Sequence, residues 1–176
     1  MTARRARSSI GLGLGLAFGF ASCLLAACGG APEKPAATSD GLNLELKDNA
    51  GERCLVAANV KHERKENEPA KITVKHVLVH HADSKNAKAG VKRTRAQACL
   101  RAQEAYDKLT RGLDFDKAVE TYSDEAGAAT RGGSVGAIER SMVVPEFADA
   151  AFELEPNQIS EVFESKFGFH IVMRTE

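Results

Sequence analysis

The chain has 176 residues and carries 24 basic and 24 acidic side chains, so its formal net charge is zero. This balance differs from the positive excess of proteins that bind nucleic acids, and we expect no nucleic-acid partner. The four cysteines form no CxxC motif and no spacing typical of a metal site, so the sequence predicts no metal centre.

The N-terminal segment, residues 1–27, has the pattern of an export signal. Three arginines and no acidic residue are followed by an apolar run, rich in Gly, Ala and Leu, over residues 10–27. A basic segment before a short apolar segment is typical of a signal peptide. The run ends in Leu25-Ala26-Ala27-Cys28, which resembles the lipobox of bacterial lipoproteins and implies cleavage before Cys28 and its acylation. A transmembrane anchor is the alternative, but the run is Gly-rich and barely long enough to span a bilayer.

The residues after Cys28 indicate where such a lipoprotein would reside. Residues 29 and 30 are glycines, and the absence of Asp there implies, by the sorting rule of lipoproteins, the periplasmic face of the outer membrane. Acyl chains on one cysteine suffice for stable membrane attachment. We expect residues 28–70 to contain a flexible tether and a short segment of uncertain role, in which residues 42–46 alternate like a strand.

Two cysteines, Cys54 and Cys99, remain once the signal is removed and Cys28 is acylated. Two free thiols are the simpler expectation, since Cys99 lies in a predicted helix and Cys54 in a poorly defined segment. A disulfide formed in an oxidising compartment is the alternative.

From residue 71 the chain shows regular patterns that predict one domain, residues 71–176. Thr94 is a favourable helix N-cap, and Pro145 suits the first turn of a helix. The predicted strands cover residues 72–80, 134–138, 159–163 and 168–174, and the predicted helices cover residues 95–111, 115–122 and 145–153. One further helical turn is expected within residues 123–131.

Two histidines, His76 and His170, each lie in an apolar, β-branched run of strand character. If the first and last strands pair in one small sheet, imidazoles that are 94 positions apart in sequence come close together. This pair is the strongest indication of a functional site in the chain.

Six segments in order carry a family resemblance: Lys75-His76-Val77-Leu78-Val79, Leu113-Asp114-Phe115, Tyr122-Ser123-Asp124-Glu125, Gly132-Gly133-Ser134-Val135-Gly136, Met142-Val143-Val144-Pro145-Glu146-Phe147 and Phe167-Gly168-Phe169-His170-Ile171-Val172. Together they resemble the parvulin-type peptidyl-prolyl cis/trans isomerases. The resemblance covers about 60% of the chain, none of it within residues 1–70. It implies an α+β fold of order βα(3)βαββ, with a small antiparallel or mixed four-stranded sheet flanked by helices.

The resemblance also implies the activity and its residues. We expect isomerisation of prolyl bonds in unfolded or exported polypeptides, without a cofactor, by a monomeric protein held at the membrane through Cys28. The implied catalytic residues are His76, Glu125, Ser165 and His170. The implied substrate-binding residues are Val135, Met142, Val143, Phe147 and Phe167.

Departures from the family pattern leave other functions open. Ser134-Val135 stands where Asp-Leu is usual, Val143 where Met is frequent, and Glu125 where Cys or Asp occurs. A non-catalytic chaperone or scaffold that binds extended segments in the same groove is therefore the alternative function. The basic loop after the first strand contains Lys85, Lys88, Lys92, Arg93 and Arg95. A solvated surface is the simpler interpretation of this loop, and binding of a phosphate before proline is the alternative. Zinc binding by His76, His80, His81 and His170 is disfavoured, because adjacent strand side chains diverge.

Overall fold

The computed structural model describes residues 49–176. The predicted signal peptide, Cys28, the tether and the predicted strand at residues 42–46 lie outside the described residues. The described part is an α+β structure with four helices and one sheet, as the sequence predicted. No helix between residues 49 and 176 is long and apolar enough to cross a membrane.

From residue 71 onward the helices and strands follow the expected order, and one further helix, which was not predicted, precedes them. The helices are α1 (residues 49–57), α2 (Arg95–Thr110), α3 (Phe115–Tyr122) and α4 (Pro145–Phe152). The strands are β1 (Lys71–Val79), β2 (Ser134–Glu139), β3 (Phe163–Ser165) and β4 (Gly168–Arg174). Short 3-10 turns occupy Ala129–Arg131 and Arg140–Met142. The Thr94 hydroxyl accepts the N–H of Gln97, and the Asp114 carboxylate accepts that of Lys117, so both predicted helix starts are capped.

The sheet has the strand order β2-β1-β4-β3, and every neighbouring pair is antiparallel. The first and last strands are therefore central and paired. In their register His76 lies opposite Val172, and His170 lies opposite Leu78. The two histidines are thus diagonal neighbours on adjacent strands.

Helices cover both faces of the sheet and create two apolar cores. On one face, Val77 and Val79 of β1 pack with residues of α1, α2 and α3. On the other face, Ile72 and Val74 pack with residues of α4. Because side chains alternate along a strand, His76 lies on the α4 face, beyond Ile72 and Val74.

The strand predicted at residues 159–163 is wrong in its position. Ile159 forms only an isolated bridge with Met173, and β3 begins at Phe163. The cause is local: the N–H of Val172 donates to the Ser160 hydroxyl at 2.9 Å instead of to a backbone carbonyl. The Ser160 side chain thereby replaces a backbone hydrogen bond between strands. The apolar pattern of the segment does not reveal this replacement.

The expectation of free thiols is also wrong, because Cys54 and Cys99 form a disulfide between α1 and α2. The helices approach closely at Gly51, where an added Cβ would lie 2.9 Å from the Cβ of Ala96. Cys54 and Ala58 belong to the core formed with α2 and α3. The segment to which the sequence assigned no role therefore includes a helix packed on the domain.

Removing the disulfide should lower stability substantially. The bridge closes a loop with a sequence separation of 45 residues. Its loss restores conformational freedom to the unfolded chain, and we expect the Cys54→Ala/Cys99→Ala variant to lose about 2–4 kcal/mol of unfolding free energy. Chemical denaturation with and without reductant measures this. Reductant should weaken the wild type and leave the variant unchanged; equal midpoints for all four samples would contradict the assignment.

Candidate active site

The two central strands place His76 and His170 side by side on the α4 face of the sheet. Their ring centroids are 5.7 Å apart and the rings are inclined by 22°. Both side chains are buried, with residue exposures of 6% and 3%. The juxtaposition expected from the sequence is therefore present in the structure.

Two phenylalanines fix the orientation of these rings. Phe147 of α4 meets His76 and His170 edge to face, at centroid distances of 5.7 and 5.6 Å. Phe163 of β3 stacks on His170 at 5.2 Å and 12°. His170 is thus enclosed by aromatic rings and the neighbouring imidazole. Sequence analysis did not assign Phe163 to the site, since only the strand register reveals this contact.

Each histidine has one polar partner. His76 Nε2 lies 3.0 Å from Glu125 Oε2, and the Arg131 guanidinium donates to the same oxygen at 2.5 Å. His170 Nε2 lies 2.8 Å from Ser165 Oγ. That hydroxyl accepts the N–H of Phe167 at 3.1 Å, which leaves its own proton available for His170. Arg131 immediately precedes the Gly132–Gly136 motif, but its role could not be deduced from its position in the sequence.

The environment favours neutral imidazole at His170 and a charged carboxylate at Glu125. Burial lowers the pKa of His170 well below its ordinary value, and the neighbouring His76 and His80 lower it further. The hydrogen bond with His76 lowers the pKa of Glu125, and Arg131 adds to the effect. The Nδ1 atoms of His76, His80 and His170 are buried without a hydrogen-bond partner within residues 49–176. The site therefore combines an uncharged imidazole at His170 with an ion pair between Glu125 and Arg131 at its edge.

A cleft of about 840 Å³ opens above the histidine pair. Eight of the nine residues assigned to the site from the sequence line it: His76, Glu125, Val135, Met142, Val143, Phe147, Phe167 and His170. The ninth, Ser165, is buried and bonded to His170 rather than lining the cleft. The lining also includes the polar side chains of His80, Asn86, Lys88 and Asp124. The cleft thus has both apolar and polar lining residues.

Gly133 allows β2 to approach the site. Its φ is +72°, and an added Cβ would lie 2.5 Å from the His76 carbonyl oxygen and 2.6 Å from Val119 Cγ2. The Gly133 carbonyl accepts the N–H of His76 at 2.9 Å. Glycine is therefore required here so that β2 can reach β1 and bring Val135 to the cleft.

The four histidines considered for zinc do not converge. His81 packs against Phe169 and lies 3.9 Å from Glu164, away from the cleft. Within the described part of the chain, no three His, Cys, Asp or Glu side chains are arranged to hold a metal ion.

Comparison with known proteins agrees with this geometry. The profile of the family described as "Rotamase: PPIC-type PPIASE domain" matches residues 76–176. The chain belongs to this family. The expected parvulin relationship is therefore confirmed, and residues 76–176 form a peptidyl-prolyl isomerase domain of the PPIC type.

Individual relatives support the same conclusion. Foldase protein PrsA 4 of Bacillus cereus is 33% identical over 127 residues, which are 72% of this chain and 39% of that protein. Chaperone SurA of Alkalilimnicola ehrlichii is 40% identical over 83 residues, which are 47% of this chain and 19% of that protein. The crystal structure of the PPIase domain of TbPar42 is similar, with a TM-score of 0.54 and 28% identity, over 60% of this chain and 99% of that one. The parvulin chain thus spans well under half the length of these two curated relatives.

Stability of this parvulin should fall below neutral pH because His170 is held neutral. In the unfolded chain histidine binds a proton below about pH 6.5, whereas the lowered pKa of His170 keeps the folded state unprotonated. The unfolded state then binds more protons, so the free energy of unfolding decreases with falling pH, by up to about 1.4 kcal/mol per pH unit for this group. Denaturant titrations between pH 7 and pH 5 measure the slope.

His170→Gln removes the titrating group and should flatten that dependence. His80→Gln should have a similar but separate effect, since burial also lowers the pKa of His80. Glu125 acts in a different window, because its lowered pKa affects stability only on acidification through its ordinary value of about 4.3 and below. A slope unchanged in His170→Gln would contradict the neutral assignment.

Proposed function

We propose that this protein catalyses cis/trans isomerisation of prolyl bonds in unfolded or exported polypeptides. One observation carries the proposal: the buried, adjacent imidazoles of His76 and His170 form the floor of a cleft, and Phe147, which contacts both, belongs to its apolar wall. Membership of the PPIC-type family supports it. The names foldase and chaperone, given to the two relatives, support a role in protein folding.

The chemistry of the reaction suits such a site. Rotation about an X–Pro bond is slow, with a barrier of roughly 20 kcal/mol, because the planar amide is stabilised by resonance. No covalent bond is formed or broken, so the proposed reaction requires no cofactor. An enzyme accelerates it by binding the twisted amide more tightly than the planar one.

The apolar part of the cleft is the proposed site for the proline ring. Val135, Met142, Val143, Phe147 and Phe167 would enclose the ring and exclude water. A planar amide is more polar than a twisted one, since resonance places negative charge on its oxygen. Moving the bond from water into an apolar surrounding therefore favours the twisted state.

The polar groups are proposed to set the electrostatics at the edge of this surface. Ser165 and Glu125 hold the imidazoles of His170 and His76 in fixed orientations. The charged Glu125 near the substrate carbonyl would disfavour the resonance form with negative charge on oxygen. In this mechanism the four residues act by position and charge, and no proton transfer is needed.

The predicted organisation of the chain assigns this activity to the cell envelope. Residues 1–27 are the proposed signal peptide, residues 28–70 the lipidated cysteine and its connection, and residues 71–176 the isomerase domain. The Cys54–Cys99 disulfide supports an oxidising compartment such as the periplasm. We propose attachment through acylated Cys28 at the periplasmic face of the outer membrane, as a monomer.

Phe147→Ala should reduce kcat/KM by about tenfold or more, because it removes the wall of the proposed proline site and one support of both imidazoles. The purified protein is assayed by NMR exchange on Ala-Pro, Leu-Pro, Glu-Pro and phosphoserine-Pro peptides. Leu109→Ala is the control, since Leu109 packs in the core on the opposite face of the sheet. Equal rates for Phe147→Ala and wild type would reject the cleft as the site.

The same assay separates the two candidate functions. A folded wild-type protein that accelerates no peptide but suppresses aggregation of an unfolded client would favour the non-catalytic chaperone. The ranking of the four peptides by rate also tests the polar residues that line the cleft. A preference for phosphoserine-Pro would support phosphate binding by the basic loop.

Cys28→Ser should abolish lipidation. Without the thiol, the proposed acyl group has no attachment site, so the variant should be recovered unlabelled in the soluble fraction or as uncleaved precursor. Metabolic labelling with palmitate, followed by membrane fractionation, measures both effects. Cys23→Ser is the matched control and should label normally. Label that persists in Cys28→Ser would reject the lipoprotein assignment.

A further inference from the structure

Residues 59–68, here called the strap, precede the domain that matches the family. Their sequence is highly charged and belongs to residues 28–70, for which the sequence predicts only a tether and a segment of uncertain role. In the structure they form no helix or strand, yet their side chains form hydrogen bonds and ion pairs with the isomerase domain. The contacts fall on β3, on the C-cap of α4 and on the 3-10 turn Arg140–Met142, and of these elements α4 and the turn carry cleft residues.

The first part of the strap is attached at two places. Asn59 donates to Oε2 of Glu164, the central residue of β3, at 2.7 Å. His62 Nδ1 lies 3.0 Å from Glu153 Oε2, and Lys65 donates to the Glu153 carbonyl at 2.5 Å. Glu153 is the C-cap of α4, the helix that carries Phe147. The strap is therefore attached at the end of the helix that forms the wall.

The third attachment is an ion pair shielded from solvent. Arg140 donates through Nε and Nη2 to the two oxygens of Glu68, at 2.7 and 2.6 Å. The Glu68 side chain is only 8% exposed. This bidentate contact lowers the pKa of Glu68, so the carboxylate stays charged. Arg64 Nε also lies 2.9 Å from Glu68 Oε1, so two guanidinium groups hold this carboxylate.

Arg140 connects Glu68 to the cleft. Its Nη1 donates to Asp149 of α4, and its guanidinium lies 5.3 Å from the centre of the Phe152 ring. Arg140 also begins the 3-10 turn that ends at Met142 on the cleft. One side chain thus links the strap to Met142 and, through Asp149, to the helix that bears Phe147.

We propose that Glu68 is a positioning residue for the isomerase, which acts through Arg140 to hold the Met142 turn and α4 in the geometry that binds the proline segment. The inference rests on the proposed isomerase function and extends the functional unit beyond the family domain. Glu68 does not touch the substrate; its effect appears in substrate binding. Chains that lack the strap would keep the catalytic residues but have a looser cleft wall.

The test compares Glu68→Gln with Glu66→Gln in the full chain. Glu66 is exposed in the same segment and has no ion pair within the described residues. Glu68→Gln should raise KM for an Ala-Pro peptide about threefold to tenfold and change kcat less than twofold, whereas Glu66→Gln should match wild type. Arg140→Lys, which keeps the charge but loses the bidentate geometry, should raise KM as well.

A second measurement separates positioning from general destabilisation. The chain has three methionines, Met1, Met142 and Met173, so methyl-labelled methionine gives a simple NMR spectrum. In Glu68→Gln the Met142 signal should shift or broaden, while Met173, which packs in the core on the other face of the sheet, should not change. If Glu68→Gln fails to fold, Arg140→Lys provides the same comparison.

The outcomes are distinguishable. Equal KM values and equal Met142 signals in Glu68→Gln and Glu66→Gln would overturn the role of Glu68, as would a parallel change of Met142 and Met173. Absence of activity in the wild type would instead contradict the proposed function. In that case peptide affinity measured from the same spectra replaces KM and still tests the strap.

Discussion

The antiparallel pairing of β1 with β4 is the contact on which the rest of the structure depends. It joins the first and last strands of the sheet and fixes which residues lie opposite one another. Since side chains alternate, this single register sets His76 and His170 on the α4 face and leaves Val77 and Val79 for the opposite core. A shift of one strand by one residue would place the two imidazoles on opposite faces of the sheet and remove the floor of the cleft.

Much of the fold follows from local signals. The bounds of α3 agree with prediction because Asp114 caps its start, and the alternating apolar runs locate β1 and β4 to within a residue. The cleft residues were found through six short motifs, each of which is a run of a few consecutive residues. Of the contacts between distant segments, the approach of His76 to His170 was predicted and the Cys54–Cys99 disulfide was an alternative, but the contacts of Phe163 with His170 and of Glu68 with Arg140 were missed. Such pairs depend on the assembled fold, and their residue types alone do not identify their partners.

The site has an uncharged histidine at its centre and a charged carboxylate at its edge. His170 is enclosed by rings and kept neutral by burial, while Glu125 remains charged because His76 and Arg131 supply its hydrogen bonds. The neutral His170 suits a reaction that separates no charge. The fixed carboxylate of Glu125 places negative charge at one edge of the cleft. Glu125 therefore suits the position where the family carries Cys or Asp, provided that Arg131 balances its charge.

The Cys54–Cys99 bond also has a mechanical consequence. It closes a covalent loop that contains the strap and all of β1, including His76. A pulling force applied to the chain before Cys54 reaches α2 directly through the two sulfur atoms, and the intervening backbone carries no tension. The strap and β1, which carries His76, thus lie outside the path of a load applied to the N-terminal segment.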